Sequence, residues 1–292
     1  MTAPRVVVVH RRSEYDELVQ RHGTRGQAEF FLNTRGRSIA EVEAAHAVLA
    51  TAVAAAHSAI PRDWRRGSVE RGELARFPFE PEDLVVVVGQ DGLVANVAKY
   101  LDGQPVLGID PGVTGNLGVL TRYEPAEAAA LVPKLASVRT EQRTMVEATL
   151  DDGQSLVALN EVYVGHASHQ TARYRIGTPS GSERQASSGL IVATGTGATG
   201  WCRSAWLERG SDVVLPGPAE PALSFFVREA WPSPATGTTY TEGRLEPGGA
   251  LTVTVESDRL VVFGDGLEAD CLSATWGQTI KVGRSARLLR LV

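Results

Sequence analysis

The segment from Leu84 to Gly92 constrains the fold of this chain more than any other feature. Five consecutive apolar residues, 84–88, run directly into Gly89-Gln90-Asp91-Gly92, and a helical pattern follows over residues 93–101. A short, uninterrupted β-branched run is typical of a strand buried on both faces, as occurs where helices cover a parallel sheet. Strand, glycine turn and helix in this order therefore predict an α/β domain.

The first half of the chain continues this alternation of strands and helices. Val6–Val9 and Pro105–Ile109 are further short apolar strands, and residues 39–60 have the composition of a helix. Residues 10–37 are polar and rich in arginine, and residues 62–76 are predicted to be a surface loop. Alternation of this kind favours a parallel sheet with crossover helices.

From about residue 120 onward the pattern changes to that of a β-rich domain. After one predicted helix at residues 126–135, short apolar or alternating segments are separated by turn sequences such as DDG, SGS and EPGG. The predicted strands are residues 144–150, 155–164, 171–176, 190–194, 251–255, 260–263 and 278–282. We therefore expect an α/β domain over residues 1–120 and a β-rich domain over residues 121–292, with the last ~20 residues free to pack back on the first domain.

The composition excludes several classes of function. The net charge is −5 and the pI about 5.8, so the chain lacks the basic excess of proteins that bind nucleic acid or an anionic membrane surface. Its two cysteines make neither a disulfide scaffold nor a four-cysteine zinc site. The apolar run near the N-terminus is shorter than the roughly 7–15 residues of a secretory signal. We expect a cytoplasmic protein with no nucleic-acid partner and no membrane partner.

The loop Gly89–Gly92 is the first segment whose residue types indicate chemistry. Glycine lets the backbone approach a ligand closely, and the N–H groups of such a turn, together with the N-terminus of the following helix, bind anions. Beside a phosphate, Asp91 would either hold Mg²⁺ or take a proton from an attacking hydroxyl group. The alternative is an ordinary Asp-Gly turn.

A polar pair and a glycine–threonine loop are the other two segments. Asn160 and Glu161 lie in an apolar strand-like run, where their donors and acceptors suit ribose hydroxyl groups; the alternative is a strand end that faces water. Residues 194–200, Thr-Gly-Thr-Gly-Ala-Thr-Gly, would cradle a phosphate or a ribose. Their glycines also match the G-x-G-x-x-G fingerprint of many oxidoreductases. That fingerprint is followed about 20 positions later by an acidic residue at the end of a second strand, and this chain has no acidic residue in such a place.

His166 and His169 lack a third ligand, so we predict no metal site of protein residues alone.

The order of these segments resembles the NAD kinase family, within a wider superfamily that includes diacylglycerol kinases. Four blocks match in order over most of the chain. They are residues 84–92 (LVVVVGQDG), similar to the family's strand plus GGDG; 105–109 with 117–120 (PVLGI and LGVL), similar to PVLGIN…GFL; 158–162 (ALNEV), matching ALNE; and 188–199 (SGLIVATGTGAT), similar to DGLIVSTPTGST. Phe263-Gly-Asp-Gly266 matches a later Asp-Gly turn of the family, and residues 23–32 resemble the branch of mitochondrial-type NAD kinases.

The resemblance implies a fold and a reaction. The fold is an N-terminal Rossmann-like α/β domain with a parallel sheet and a C-terminal β-sandwich, with the nucleotide bound by residues of both. The reaction is transfer of the γ-phosphoryl group of ATP, with Mg²⁺, to the adenosine 2′-hydroxyl of NAD, which gives NADP. The family assembles as homodimers or homotetramers.

The same resemblance implies the roles of individual residues. Asp91 would be the general base or the carboxylate that orients the attacking hydroxyl, and Gly89, Gln90 and Gly92 would hold phosphates. The residues implied to bind NAD or another nucleotide are Asn160, Glu161, Ser188, Thr194, Thr196, Gly197, Thr199 and Asp265. Phosphoryl transfer depends mainly on positioning and charge neutralisation, so one carboxylate, Mg²⁺ and oriented amides suffice.

Several residues depart from the family's pattern, and some of these departures touch the acceptor pocket that the resemblance implies. The replacements are Gln90 for the second glycine of GGDG, Asp110 for an asparagine, Ser188 for an aspartate near the nicotinamide, Gly195 for a proline, Ala198 for a serine and Trp201 for a tyrosine. Three alternatives therefore stay open: a kinase for another hydroxyl acceptor (a nucleoside, a sugar or a lipid-like alcohol), a non-catalytic nucleotide-binding protein, and an oxidoreductase. The phosphoryl donor stays open between ATP, another nucleotide and polyphosphate.

Overall fold

Two units make up the structure, a computed structural model that describes residues 3–113 and 118–292. The first unit contains the described residues up to Thr140 together with Arg290–Val292, and the second contains Glu141–Leu289. Residues 121–140, which lie beyond the expected boundary at 120, join the first unit because side chains such as Leu135 lie in its core. Leu117, which opens one of the matching blocks, and the preceding residues 114–116 lie outside the described part of the chain.

The valine-rich segments form a parallel sheet in the first unit, as predicted. Its strands are β1 (Arg5–His10), β2 (Arg65–Glu70), β3 (Leu84–Val88) and β4 (Pro105–Ile109), in the order β2-β1-β3-β4. Each pairing is parallel, and Arg290 and Leu291 pair in parallel with β4. Every residue of β3 and β4 is buried, which explains their uninterrupted apolar sequences. The Rossmann-like α/β domain is therefore confirmed.

Helices lie between these strands or follow the last of them. They are α1 (Glu14–His22), α2 (Arg25–Asn33), α3 (Ile39–Ser58), α4 (Asp91–Ala98) and α5 (Pro125–Leu131). The predicted helix over residues 39–60 is α3, and it packs on the sheet through Ala52 and Ala56. By length and composition alone α3 is also apolar enough to cross a membrane.

Two polar segments of the first unit are more regular than the sequence indicated. Residues 10–37 contain α1 and α2, whose Leu18 and Leu32 pack against the start of α3. Residues 62–76, expected to be a loop, contain β2 and a short 3₁₀ helix. That expectation was wrong because β2 is an edge strand with Val69 as its buried residue, and an exposed edge needs no apolar pattern.

The second unit is a sandwich of two antiparallel sheets. Its elements are β5 (Glu141–Leu150), β6 (Ser155–Ala158), β7 (Glu161–Gly165), β8 (Ala172–Thr178), β9 (Gly181–Ser187), β10 (Leu190–Ala193), α6 (Trp201–Arg209), β11 (Leu223–Val227), β12 (Glu242–Leu245), β13 (Ala250–Val255), β14 (Arg259–Gly264), β15 (Cys271–Thr275) and β16 (Thr279–Leu291, up to Leu289 in this unit). One sheet has the order β6-β5-β16-β13-β8-β9 and the other β12-β11-β10-β7-β14-β15. Alternate residues of both sheets, such as Tyr174 and Val192, share one apolar core, which confirms the β-sandwich.

Candidate functional site

Asp91 is the first residue of α4, and a neighbouring loop of the first unit holds its carboxylate. Oδ1 accepts hydrogen bonds from the Leu120 N–H (2.9 Å), the Thr121 N–H (2.9 Å) and the Thr121 hydroxyl (3.0 Å), and Oδ2 accepts one from the Val119 N–H (2.8 Å). These four donors fix the orientation of the carboxylate. Because a carboxylate oxygen has about two lone-pair directions, Oδ2 can accept from one more group, such as a substrate hydroxyl.

Gly118 makes this close approach possible. A Cβ at this position would lie 2.0 Å from Asp91 Oδ1, so any side chain would displace either the loop or the carboxylate. Gly118 belongs to the block that resembles GFL of the family, which gives a physical reason for a glycine in that block.

The turn before α4 offers a narrower set of phosphate ligands than the sequence implied. The Gly89 N–H donates to the Ile109 carbonyl oxygen (3.0 Å), so it is occupied within the sheet. Gln90 is the exposed N-cap of α4 and makes no side-chain capping hydrogen bond, and Gly92 is exposed with open space where a Cβ would stand. The first N–H groups of a helix have no acceptor within it, so those of Gln90–Gly92 are the groups of this turn that could donate to an anion.

In the second unit, Asp265 holds the turn that carries Asn160 and Glu161. Its carboxylate accepts hydrogen bonds from the N–H groups of Leu159 (2.8 Å), Asn160 (2.7 Å) and Glu161 (3.3 Å). The Asp265 N–H donates back to the Glu161 carbonyl oxygen (3.1 Å), and Asp265 has a left-handed φ of 53°. These bonds explain why the strand predicted at 155–164 is interrupted at Leu159 and Asn160.

Thr194 ties the glycine–threonine loop to the same turn. Its hydroxyl donates to the Leu159 carbonyl oxygen (2.6 Å) and accepts the N–H groups of Thr196 (3.1 Å) and Gly197 (3.2 Å). A Cβ on Gly197 would lie 2.2 Å from the Asn160 carbonyl oxygen, so glycine is needed there for contact with the turn. The structure thus brings six predicted residues together in one group, which we call the nucleoside cluster: Asn160, Glu161, Thr194, Thr196, Gly197 and Asp265.

Polar groups of the nucleoside cluster are left available for a ligand. Among the hydrogen bonds of the described residues, none uses the Asn160 amide or the Glu161 carboxylate, and the buried Thr196 hydroxyl has no partner. Burial and the nearby negative charge of Asp265 raise the pKa of Glu161 to about 7. A half-buried carboxylate without donors is costly to the fold, and such residues often mark a binding site.

Replacing Glu161 by glutamine is expected to raise the free energy of unfolding at pH 8 by ~2 kcal/mol and to change it little near pH 4.5. The folded protein takes up the Glu161 proton at higher pH than the unfolded chain, so wild-type stability falls as pH rises from about 4.5 to about 7. Urea unfolding at both pH values measures the difference. Glu208→Gln, at an exposed position of α6, is the control. An equal effect of Glu161→Gln at both pH values would contradict the prediction.

Two other predicted residues are not part of the nucleoside cluster. Ser188 lies apart from it, and Thr199 makes a hydrogen bond within its own loop. Ser188 is exposed and precedes β10, whereas Thr194 follows it, so at about 3.3 Å per residue the two are separated by ~20 Å. The Thr199 hydroxyl donates to the Thr196 carbonyl oxygen (2.9 Å) at the exposed end of the loop. The roles assigned to Ser188 and Thr199 stay predictions.

The glycines of residues 194–200 do not form a dinucleotide fingerprint. That motif requires a parallel strand–helix–strand unit, but β10 pairs antiparallel with both β7 and β11. Gly195 instead meets the backbone of Gly217, whose carbonyl oxygen would lie 2.0 Å from an added Cβ. This removes the support that the motif gave to an oxidoreductase.

Three aromatic residues lie together beside the nucleoside cluster, a grouping that the sequence did not predict. Tyr163 follows Glu161 on the same face of β7 and stacks on Trp201 (ring centroids 5.7 Å apart), and Phe263 lies 4.8 Å from it on β14. Together with Arg228, whose guanidinium lies 5.3 Å from the Trp201 ring, they line a cavity of about 320 Å³. Alternation along β7 and β14 was the available signal, because it places these rings on the face away from the core.

The described residues suit Mg²⁺ that arrives with a nucleotide. Among them, no group of three or more His, Cys, Asp or Glu side chains could hold a metal ion. Mg²⁺ in phosphoryl-transfer sites commonly uses one or two carboxylates and takes its other ligands from substrate phosphates and water. Such a Mg²⁺ would take its ligands from the phosphates of the nucleotide and from water, because the remaining lone pair of Asp91 Oδ2 is the one available to a substrate hydroxyl.

Sequence comparison relates the chain to NAD kinases. It is 33% identical over 141 residues to the NAD kinase of Chlorobaculum tepidum, 35% over 167 residues to that of Methylococcus capsulatus and 31% over 236 residues to that of Symbiobacterium thermophilum. These alignments cover 46%, 53% and 72% of this chain and 47%, 53% and 74% of the relatives. The chain thus spans about half the length of the first two relatives and about three quarters of the third.

Structural comparison agrees on the fold. The crystal structure of an NAD kinase from Archaeoglobus fulgidus in complex with ATP matches 98% of this chain and 92% of its own, with a TM-score of 0.59 and 18% identity. No protein-family model matches the chain. Since the similarity to the Symbiobacterium thermophilum protein extends over more than two thirds of both chains, the chain belongs to the NAD kinase family.

Proposed function

We propose that this protein transfers the γ-phosphoryl group of ATP to the 2′-hydroxyl of the adenosine ribose of NAD and so forms NADP. The observation that carries the proposal is the carboxylate of Asp91, held in one orientation by four hydrogen bonds at the N-terminus of α4 in a chain of the NAD kinase family. A fixed acceptor next to anion-binding N–H groups is what attack of a hydroxyl on a phosphoryl group requires.

Asp91 would act on the attacking hydroxyl. Oδ2 accepts a hydrogen bond from the 2′-hydroxyl and takes its proton as the oxygen attacks the γ-phosphorus, while the bond from that phosphorus to the β-phosphate breaks and ADP leaves. The N–H groups of Gln90 to Gly92 bind the phosphates and offset the charge that develops on them. Mg²⁺ bound to the phosphates of ATP would supply the remaining charge neutralisation.

The nucleoside cluster would bind the acceptor. The Asn160 amide and the Glu161 carboxylate are unused by the described protein groups and match the hydroxyl groups of a ribose. The buried Thr196 hydroxyl can donate to or accept from the same ligand. Because an ionised carboxylate accepts hydrogen bonds better than a protonated one, we expect NAD to bind more weakly as the pH falls below the Glu161 pKa of about 7.

The oligomeric state, cellular location and partners that we infer follow from the family resemblance. We infer a homodimer or homotetramer in the cytoplasm, with small nucleotides as substrates and neither nucleic acid nor a membrane as a partner. The net charge of −5 supports the last two points. Light scattering of the purified protein during size-exclusion chromatography measures the number of subunits.

Incubation of the purified protein with ATP, Mg²⁺ and NAD tests the reaction, with NADP measured by mass spectrometry. We expect NADP at an enzymatic rate. ATP consumption with another alcohol but not with NAD would assign the departures at Gln90, Ser188 and Gly195 to a different acceptor. Nucleotide binding without a phosphorylated product from any acceptor would indicate a non-catalytic protein.

A further inference from the structure

Helix α3 presents an apolar face to solvent in the described part of the chain. Residues 44–61 contain no Asp, Glu, Lys or Arg, yet only 22% of the most apolar window of α3 is buried. Val48 on this face is 41% exposed. A surface helix of a globular protein usually carries charged or polar residues on the side away from the core, so the composition of α3 indicates that a further apolar surface packs on it.

A groove of about 320 Å³ lies on this face. Among the residues that line it are Val48, Thr51, Ala52 and Ala55 of α3, and Pro111 and Pro125. The four residues of α3 are spaced as i, i+3, i+4 and i+7, which is the set that forms a hole for one side chain of a facing helix. Three of the four are alanine or threonine, and such small side chains let a second helix approach closely.

The two ends of α3 carry opposite charges. Glu41 lies exposed in its first turn. After its last turn come Arg62 and Arg66, with one acid, Asp63, between them, and none of these four side chains forms an ion pair among the described residues. The Arg66 guanidinium donates to the Ile60 carbonyl oxygen (2.9 Å), which keeps its charge at this end. An antiparallel second α3 therefore brings opposite charges together at both ends, whereas a parallel one brings like charges together.

An antiparallel pair also fills the groove. With a two-fold axis near Ala50, Val48 of each copy faces Thr51 and Ala52 of the other and enters its hole. At the same register, Glu41 of one copy lies within about one turn of Arg62 of the other. The face is thus complementary to itself, as a symmetric contact between two copies requires.

A membrane is the other apolar surface that α3 might be thought to meet, and it fits less well. Helices that lie in a membrane interface combine Trp, Phe or Leu with a polar face rich in Lys and Arg. Apart from Val48, the exposed positions of α3 carry alanine, threonine, serine and one glutamate. The net charge of −5 also opposes attraction to an anionic surface.

We propose that α3 pairs antiparallel with α3 of a second copy of this chain, with Val48 of each copy in the groove of the other. The contact joins two first units and is independent of any contact between second units. It goes beyond the proposed function and does not rest on it, since a chain without kinase activity would form the same pair.

Sedimentation equilibrium of the full chain tests the contact. Val48→Asp places a charge in an apolar hole, and we expect it to raise the dissociation constant of this contact at least ~100-fold. Ala50→Asp adds the same charge at an exposed position about 160° around the helix from Val48, so it should change that constant less than ~3-fold. Because both positions are exposed in the single chain, both variants should keep the circular dichroism of the wild type.

Exchange of the end charges tests the antiparallel direction. Glu41→Arg and Arg62→Glu each place like charges together, and we expect each to weaken association ~5–10-fold, whereas the double variant should return to within ~2-fold of the wild type. Failure of the double variant to recover, or equal effects of Val48→Asp and Ala50→Asp, overturns the proposal. So does a wild type that is monomeric at ~0.1 mM. A monomer that floats with vesicles of phosphatidylcholine and phosphatidylserine would assign α3 to a membrane instead.

Discussion

Replacing Asp91 by alanine is expected to lower kcat for NADP formation by ~10³-fold, since a positioned general base typically contributes 10²–10⁴-fold. The substitution removes the group that takes the proton from the 2′-hydroxyl. It also leaves the N–H groups of Val119, Leu120 and Thr121 without their acceptor. The core of the first unit does not include Asp91, so the domain should stay folded, with a loss of stability of ~1–3 kcal/mol.

Thr121→Val separates the catalytic from the structural contribution of Asp91. Valine has nearly the shape of threonine and removes one of the four hydrogen bonds, the 3.0 Å bond from the Thr121 hydroxyl to Oδ1, while the carboxylate stays. We expect Thr121→Val to reduce kcat less than ~10-fold and the melting temperature by a few degrees at most. Steady-state kinetics at saturating ATP and NAD, with thermal melts of each variant, give the comparison. If Thr121→Val loses as much activity as Asp91→Ala, Asp91 has a structural role only.

Local sequence patterns identified several of the fully buried strands, although not β11, which is buried at all five of its residues. Strands β3 and β4 lie where their apolar runs predict them. Both faces of each strand are covered, so every residue is buried and the sequence is apolar throughout. The edge strands β2 and β9 are polar on their exposed faces and gave no such signal. The sequence before α1 does contain a helix-start pattern, Ser13 followed three residues later by Asp16, and in the structure these two residues form reciprocal hydrogen bonds. The polar, arginine-rich composition of residues 10–37 nevertheless led to no helix being predicted there.

The site was predicted in its residues but not in its geometry. The order of the motifs indicated Asp91, Asn160 and Glu161, yet the bonds that position them come from distant segments. Asp265 reaches the turn at Asn160 across 105 residues of chain, and the loop at Thr121 reaches Asp91 across 30. No periodicity in a single sequence reports contacts of this kind, since the register between distant segments is set by packing of the whole unit.

Asp265→Ala is expected to lower the free energy of unfolding of the second unit by ~3 kcal/mol. Three N–H groups lose an ionised acceptor, and a buried donor left without a partner costs ~1–3 kcal/mol. Water can reach the half-buried Asn160 and Glu161, so the total loss of stability stays below three times the cost of one fully buried donor without a partner. Alanine also tolerates the left-handed φ of 53° less well than aspartate does.

Two further variants and the pH dependence of stability test whether the loss of stability comes from the carboxylate of Asp265. Asp265→Asn keeps an acceptor oxygen and tolerates the same φ, so it should lose less than half as much stability as alanine, whereas Asp258→Ala at an exposed turn should lose almost none. Loss of the Asp265 charge also lowers the pKa of Glu161, so the fall in stability between pH 4.5 and pH 7 should become shallower in both Asp265 variants. Urea unfolding across this pH range measures both effects. A wild-type pH profile in Asp265→Ala would show that burial alone, and not the neighbouring charge, sets the titration of Glu161.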